Sequence, residues 1–129
     1  MNPRRFPIVR IYSDEEGESH FQDGYLPLED AGEIGSLSPR IGEASIFFRG
    51  NEPDYDYDWH VAPARQFILM MTGEIEVRVS DGEARRIRPG EILFLEDVRG
   101  KGHKTRNVGT TERLSVFVQT DAPVDFRRA

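Results

Sequence analysis

Between Gln66 and Arg88 the chain leaves little choice of fold. "QFILMMT" is an apolar run, opened by Gln66 and closed by Thr72, and one glycine later "EIEVRVS" alternates strictly. Ile75, Val77 and Val79 share one face of that second run, and Glu74, Glu76 and Arg78 share the other. A period of two is a strand with one buried and one wet side. Asp81-Gly82 then predicts a two-residue hairpin turn, because both residues tolerate positive φ, and "ARRIR" runs back. Pro89-Gly90 is a second turn and "EILFLED" a further buried strand. Runs this short, with turns this close, indicate an all-β sandwich or barrel.

The rest of the chain agrees. "FPIVRIY", "SHFQDGYLPL" and "ASIFFR" are candidate strands before this region, and "HKTRNV" and "RLSVFVQT" follow it. "EDAGEIGSLSPRIGE" has no pattern and reads as a loop, as does "GNEPDYDYD". Sustained helical periodicity, repeats and linkers are lacking. The expectation is one domain: N-terminal strands and loop over 1–43 packed on the barrel, a core over 44–120, and a tail over 121–129.

At 129 residues the chain can bury a core without staples. It has no cysteine, which excludes disulfides, thiol catalysis and thiolate metal sites. The net charge of −6 disfavours nucleic acid and anionic membranes as partners. Arg4, Arg5, Arg127 and Arg128 read as solvated ends. The opening "MNPRRFPIV" lacks a signal-peptide core, and no segment approaches the roughly 20 apolar residues of a membrane helix. A cytoplasmic protein is expected.

Strand parity gives direction. In "QFILMMT", Gln66, Ile68 and Met70 share one face, while Phe67, Leu69 and Met71 share the other. Both faces are apolar beyond Gln66, so the outer one needs a cover, and a homodimer is expected. In "HKTRNV", His103, Thr105 and Asn107 point inward, away from Lys104 and Arg106. If "WHVA" is extended, as Pro63 favours, His60 and Ala62 point the same way.

These residues resemble the cupin superfamily. Its first motif is often written G-x5-H-x-H-x3,4-E-x6-G, and here His60, Ala62, Gln66 and Gly73 fall on it, with Asp54 at the leading glycine. Its second, G-x5-P-x-G-x2-H-x3-N, falls on Gly90, Glu96 at the proline, Gly100, His103 and Asn107. The loop before Gly100 is two residues longer than the motif. The resemblance implies an antiparallel β-barrel of the double-sheet jelly-roll type. It also implies one divalent metal held by three histidines and a glutamate; this chain keeps His60 and His103, with Gln66 in place of the glutamate and Ala62, which cannot ligate, in place of the other histidine.

Two uses of these residues follow. In the first, His60 and His103 are catalytic acid–base groups of an isomerase- or lyase-type enzyme, over a floor of Ile68 and Met70. Gln66 then orients a carbonyl or hydroxyl, Asn107 orients His103, Tyr57 and Trp59 (with Tyr55) form an aromatic lip or pack along an edge strand, and Arg65 pairs with an anionic organic ligand or, equally, sits on the surface paired with a nearby aspartate. In the second, His60, Gln66 and His103 weakly hold a divalent metal (Fe, Ni, Zn or Mn), as in a dioxygenase, with Glu96 as a distant candidate carboxylate. A noncatalytic small-ligand-binding protein is a third alternative. His20 shows no ligand spacing and reads as structural or exposed. "GKGH" lacks the phosphate-loop pattern, and Lys101 hints only weakly at an anion.

Overall fold

The computed structural model describes residues 4–129. Its strands are β1 (Arg4–Ser13), β2 (Ser19–Asp30), β3 (Ser36–Leu37), β4 (Ala44–Asn51), β5 (Asp56–His60), β6 (Gln66–Thr72), β7 (Glu74–Val79), β8 (Ala84–Ile87), β9 (Ile92–Glu96), β10 (His103–Val108), β11 (Arg113–Thr120) and β12 (Arg127–Arg128). A short 3-10 turn, Gly32–Ile34, follows β2. The larger sheet has the order β12-β2-β1-β9-β6-β11-β4, with β3 added to β2, and the smaller is β5-β10-β7-β8. Pairing is antiparallel except between β1 and β9.

The alternating residues close the space between the sheets. Ile75, Val77 and Val79 from β7 meet Ile68 and Met70 from β6, with Ile11, Leu93, Leu95 and Phe117 from the larger sheet. These nine side chains, each worth about 1.5–3 kcal/mol when buried, are the main favourable term of the fold. A second cluster lies on the outer side of the larger sheet. Ile8, Phe67 and Phe94 are buried there under Ile41 of the long loop and Val124 and Phe126 near the C-terminus. One chain therefore covers much of the outer face of β6, although Met71 stays exposed.

Gly73 joins β6 to β7 with φ +77, and a Cβ there would meet the Arg113 Cα at 2.9 Å. Only glycine meets both demands. The hairpin at Asp81-Gly82 differs from expectation. Gly82 alone takes positive φ, its N–H donates to the Val79 carbonyl, and the Val79 N–H donates to the Glu83 carbonyl. This is a three-residue loop with a left-handed glycine at its end, the next most common hairpin after the two-residue kind.

The terminal arginines are exposed but are not free tails. Arg4 and Arg5 pair with β2, and the Arg5 guanidinium lies 4.2 Å from the Tyr25 ring centroid. Arg127 and Arg128 extend the other edge of β2. Among the described residues, no helix is long and apolar enough to cross a membrane.

Candidate functional site

β5 and β10 bring two of the three histidines together. His60 stands opposite His103 in an antiparallel register, with ring centroids 4.5 Å apart and planes tilted by 58°. This approach depends on Gly102. At φ +72 its missing Cβ would overlap the backbone carbonyl of His60. The pairing also carries a bulge, since Thr105 stands opposite Tyr57 while His103 stands opposite His60. The extra residue lies on β5, so Tyr57 and His60 face the same way despite their spacing. Tyr57 stacks on His60 with centroids 4.0 Å apart and planes 13° from parallel.

Each imidazole is held through Nδ1. His103 Nδ1 lies 2.5 Å from Oδ2 of Asp97, whose side chain is wholly buried. The Asp97 carbonyl in turn accepts the Ala62 N–H at 3.0 Å, which ties the carboxylate to the segment after His60. His60 Nδ1 lies 2.7 Å from the Asp58 carbonyl oxygen. A carbonyl can only accept, so this Nδ1 carries hydrogen and Nε2 carries the lone pair of the neutral ring. Burial pushes the His60 imidazole below its ordinary range, helped by His103 and Arg49 and opposed by the Asp58 carbonyl and by Asp97. The neutral ring is therefore favoured, with its lone pair on Nε2.

The histidines line a cavity of about 210 Å³. That is smaller than the roughly 300–1,000 Å³ of sites for drug-sized ligands, so it suits a small metabolite. Gln66 and Ile68 line it too, whereas Met70 sits in the core beyond. The opposite wall comes from β4 and β11, with Phe47, Arg49, Arg113 and Phe117. The two phenylalanines stack at 4.9 Å, and Arg49 donates to the Tyr55 hydroxyl at 3.1 Å. Arg113 is only 2% exposed, and burial, then the charge of Arg49, pushes its guanidinium down to about 10.

His60, His103, Gln66 and Tyr57 therefore meet in one cavity, with Tyr55 beside them. Three other expected residues do not. Arg65 precedes the inward Gln66 and has the opposite parity. It donates to Glu96 at 2.9 Å and to the Ala122 carbonyl at 2.9 Å, fastening the C-terminal segment to β9. The β5 bulge leaves Trp59 outside, where the Lys104 ammonium lies 5.9 Å from its ring. Asn107 does not orient His103, since its side chain donates to the Glu52 carbonyl at 2.6 Å and its N–H to the Tyr55 carbonyl. It steadies the loop that carries the tyrosine lip. Lys101 is ion-paired with Glu18, and His20 bridges Asp14 and Asp81 at 2.8 Å each.

Asp97, Arg49 and Arg113 are the site residues that sequence reasoning missed. The arginines had a readable signal, because Phe47 and Arg49, like Arg113, Ser115 and Phe117, share inward parity on their strands. Asp97 had none, because the loop that turns it inward follows no period.

The metal implied by the resemblance does not fit these residues. Among the described residues, no group of three or more His, Asp or Glu side chains is gathered as a metal site would need. Ala62 has no donor, the Gln66 carbonyl oxygen already accepts the Gln119 amide at 2.9 Å, and Glu96 is held by Arg10 and Arg65. Two arginines on the far wall, with no carboxylate among the ligands, further disfavour a divalent cation.

No family model and no curated protein matches the sequence. Solved structures do share its fold. A cupin-like protein from Thermotoga maritima matches 84% of this chain and 78% of its own, at 14% identity and a TM-score of 0.51. A protein with a double-stranded β-helix domain from Klebsiella pneumoniae matches 78% of this chain and 83% of its own, at 22% identity and 0.50. The cupin domain of Cnp3 from Schizosaccharomyces pombe matches 94% of this chain and 86% of its own, at 15% identity and 0.50. The chain has the cupin fold.

Proposed function

We propose that this cupin-fold chain acts on a small organic molecule by metal-free proton transfer, with His60 and His103 as the acid–base pair. The observation that carries this reading is the His103–Asp97 contact beside His60, whose Nδ1 is held by the Asp58 carbonyl. Asp97 fixes the His103 tautomer and lies where positive charge develops as Nε2 takes a proton. His60 offers a second lone pair from Nε2 across the same cavity. The proton that one Nε2 takes from carbon is then carried on the imidazolium so formed, which returns it to the neighbouring carbon in an isomerisation or to the leaving group in a β-elimination. Gln66, whose carbonyl oxygen is engaged by Gln119, offers its amide N–H to a substrate oxygen.

The test is deuterium uptake from D₂O. Cavity-sized ketones, hydroxy acids and oxo acids are incubated with the protein and read by NMR for exchange at carbon beside the carbonyl. Exchange that is lost in His103→Ala and in His60→Ala supports proton transfer. Tight binding without exchange across the panel overturns the enzyme reading and leaves a noncatalytic binding protein.

The reading includes a homodimer formed through the outer face at the β4 edge. Ile46 and Phe48 are 62% and 80% exposed there, with Met71 and Leu114 beside them. Apolar surface of this kind, grouped rather than scattered, marks an association face. Light scattering that finds a monomer at high concentration removes this part.

A further inference from the structure

The wall opposite the histidines holds two cations and no anion. Arg113 opens β11 opposite Asn51, and Arg49 lies two residues before Asn51 on the same inward face of β4. The Arg113 Nε is buried with no hydrogen-bond partner. Among the described residues, no carboxylate forms an ion pair with either guanidinium, and the Asp97 carboxylate is engaged by His103. A buried cation without a counter-charge is costly and is rarely kept for stability alone.

We infer that the cavity selects a small organic carboxylate, held by Arg113 with Arg49 and with its carbon body against Tyr57, Phe47 and Phe117. The inference rests on the reading of this cavity as the ligand site and names the substrate class. The guanidinium presents donors in a planar fork, which matches the two oxygens of a carboxylate. The ligand's charge supplies what the fold leaves out. The stacked Phe47–Phe117 pair and the Tyr57 ring supply apolar walls that a bare inorganic anion would not use. A carboxylate on the arginine wall directs the rest of the molecule toward His60 and His103, since all four side chains line one cavity. The carbon next to the carboxylate, or the one beyond it, then meets the acid–base pair.

Calorimetry with three probes tests this: benzoate, its neutral isostere benzamide, and inorganic phosphate. The histidine ring resonances report whether each probe enters the cavity. Benzoate is expected to bind one per chain, to shift both histidines, and to bind at least about tenfold more tightly than either benzamide or phosphate. Arg113→Met is expected to weaken benzoate by about tenfold or more and to leave benzamide unchanged, and Arg49→Met to act in the same direction. Arg113→Lys keeps the charge but loses the fork, so it falls between. Equal binding of benzoate and benzamide, or no effect of either arginine variant, overturns the anion preference while the cavity stands as a ligand site. Phosphate as tight as benzoate overturns the role of the carbon body. Failure of every probe to move the histidines overturns the inference, and the deuterium-exchange assay then still judges the proton-transfer reading independently.

Discussion

Nδ1 of His103 lies 2.5 Å from Oδ2 of Asp97, and neither side chain is more than 5% exposed. On the proposed reading this contact makes His103 a positioned base rather than a core histidine. Asp97→Asn preserves the shape but gives the ring an amide that can donate as well as accept. Deuterium exchange into a substrate is expected to fall by at least about 100-fold, with the fold retained. Circular dichroism and the ¹⁵N shifts of His103, read beside the exchange rate, separate a lost tautomer from a lost fold.

Arg113 is held at a cost in stability. Replacing it with methionine removes a buried, unpaired cation and keeps most of its volume. The ligand-free variant is expected to be more stable by about 1 kcal/mol or more. For a domain of this size that raises Tm by roughly 3–6 °C. Calorimetric melting of the two proteins checks it, and a lower Tm would mean the arginine is structural.

Gly102 sets the distance between the histidines. Gly102→Ala imposes a side chain at φ +72 and pushes it into the His60 carbonyl. A loss of about 1–3 kcal/mol is expected from the strained backbone alone. The contact between the two rings should also open, read as a loss of nuclear Overhauser effects between them.

His60 should titrate below the ordinary 6.5, because burial, then His103 and Arg49, disfavour its charged form. Its folded pKa is depressed, so the unfolded chain binds the proton more readily. The stability it contributes is present above about pH 6.5 and is lost as pH falls through the folded pKa. NMR titration of the ring protons gives the midpoint directly. A midpoint above about 7 would place a mostly cationic imidazole in the cavity at neutral pH.

His20 has the opposite sign. Its bond to Asp14 raises its pKa, opposed by burial and helped further by the bond to Asp81, while Asp14 is lowered chiefly by the same His20 bond. The raised group adds stability below about pH 6.5, and this is lost as pH rises through the folded value. Asp14 withdraws its share as pH falls below its ordinary 3.8. The destabilisation caused by His20→Gln is therefore expected to be larger at pH 5.5 than at pH 8.5, checked by thermal melts at both.

Most of the fold was legible because it depends on period-two patterning and glycine turns. Strands β6 and β10 keep the bounds read from "QFILMMT" and "HKTRNV", and their buried faces are the ones parity assigned. Half of the site was legible by the same rule, since His60, Gln66 and His103 are inward residues on strands. What stayed hidden depends on departures from the period. The extra residue on β5 turns Tyr57 in and Trp59 out, and a loop conformation brings Asp97 under His103. On sequence alone Arg65 is expected to pair with an anionic ligand through its planar fork, yet it neighbours the inward Gln66, and adjacent residues on a strand face opposite ways.

On the proposed reading the Nε2 lone pairs of His60 and His103 serve protons rather than a metal. Titrating untagged protein with Zn²⁺ while following both Nε2 ¹⁵N resonances tests it most directly. Neither resonance is expected to move appreciably up to one equivalent, and His60→Ala and His103→Ala are expected to bind no less zinc than the parent. Stoichiometric zinc binding that shifts both Nε2 signals, and is lost in both variants, would contradict it.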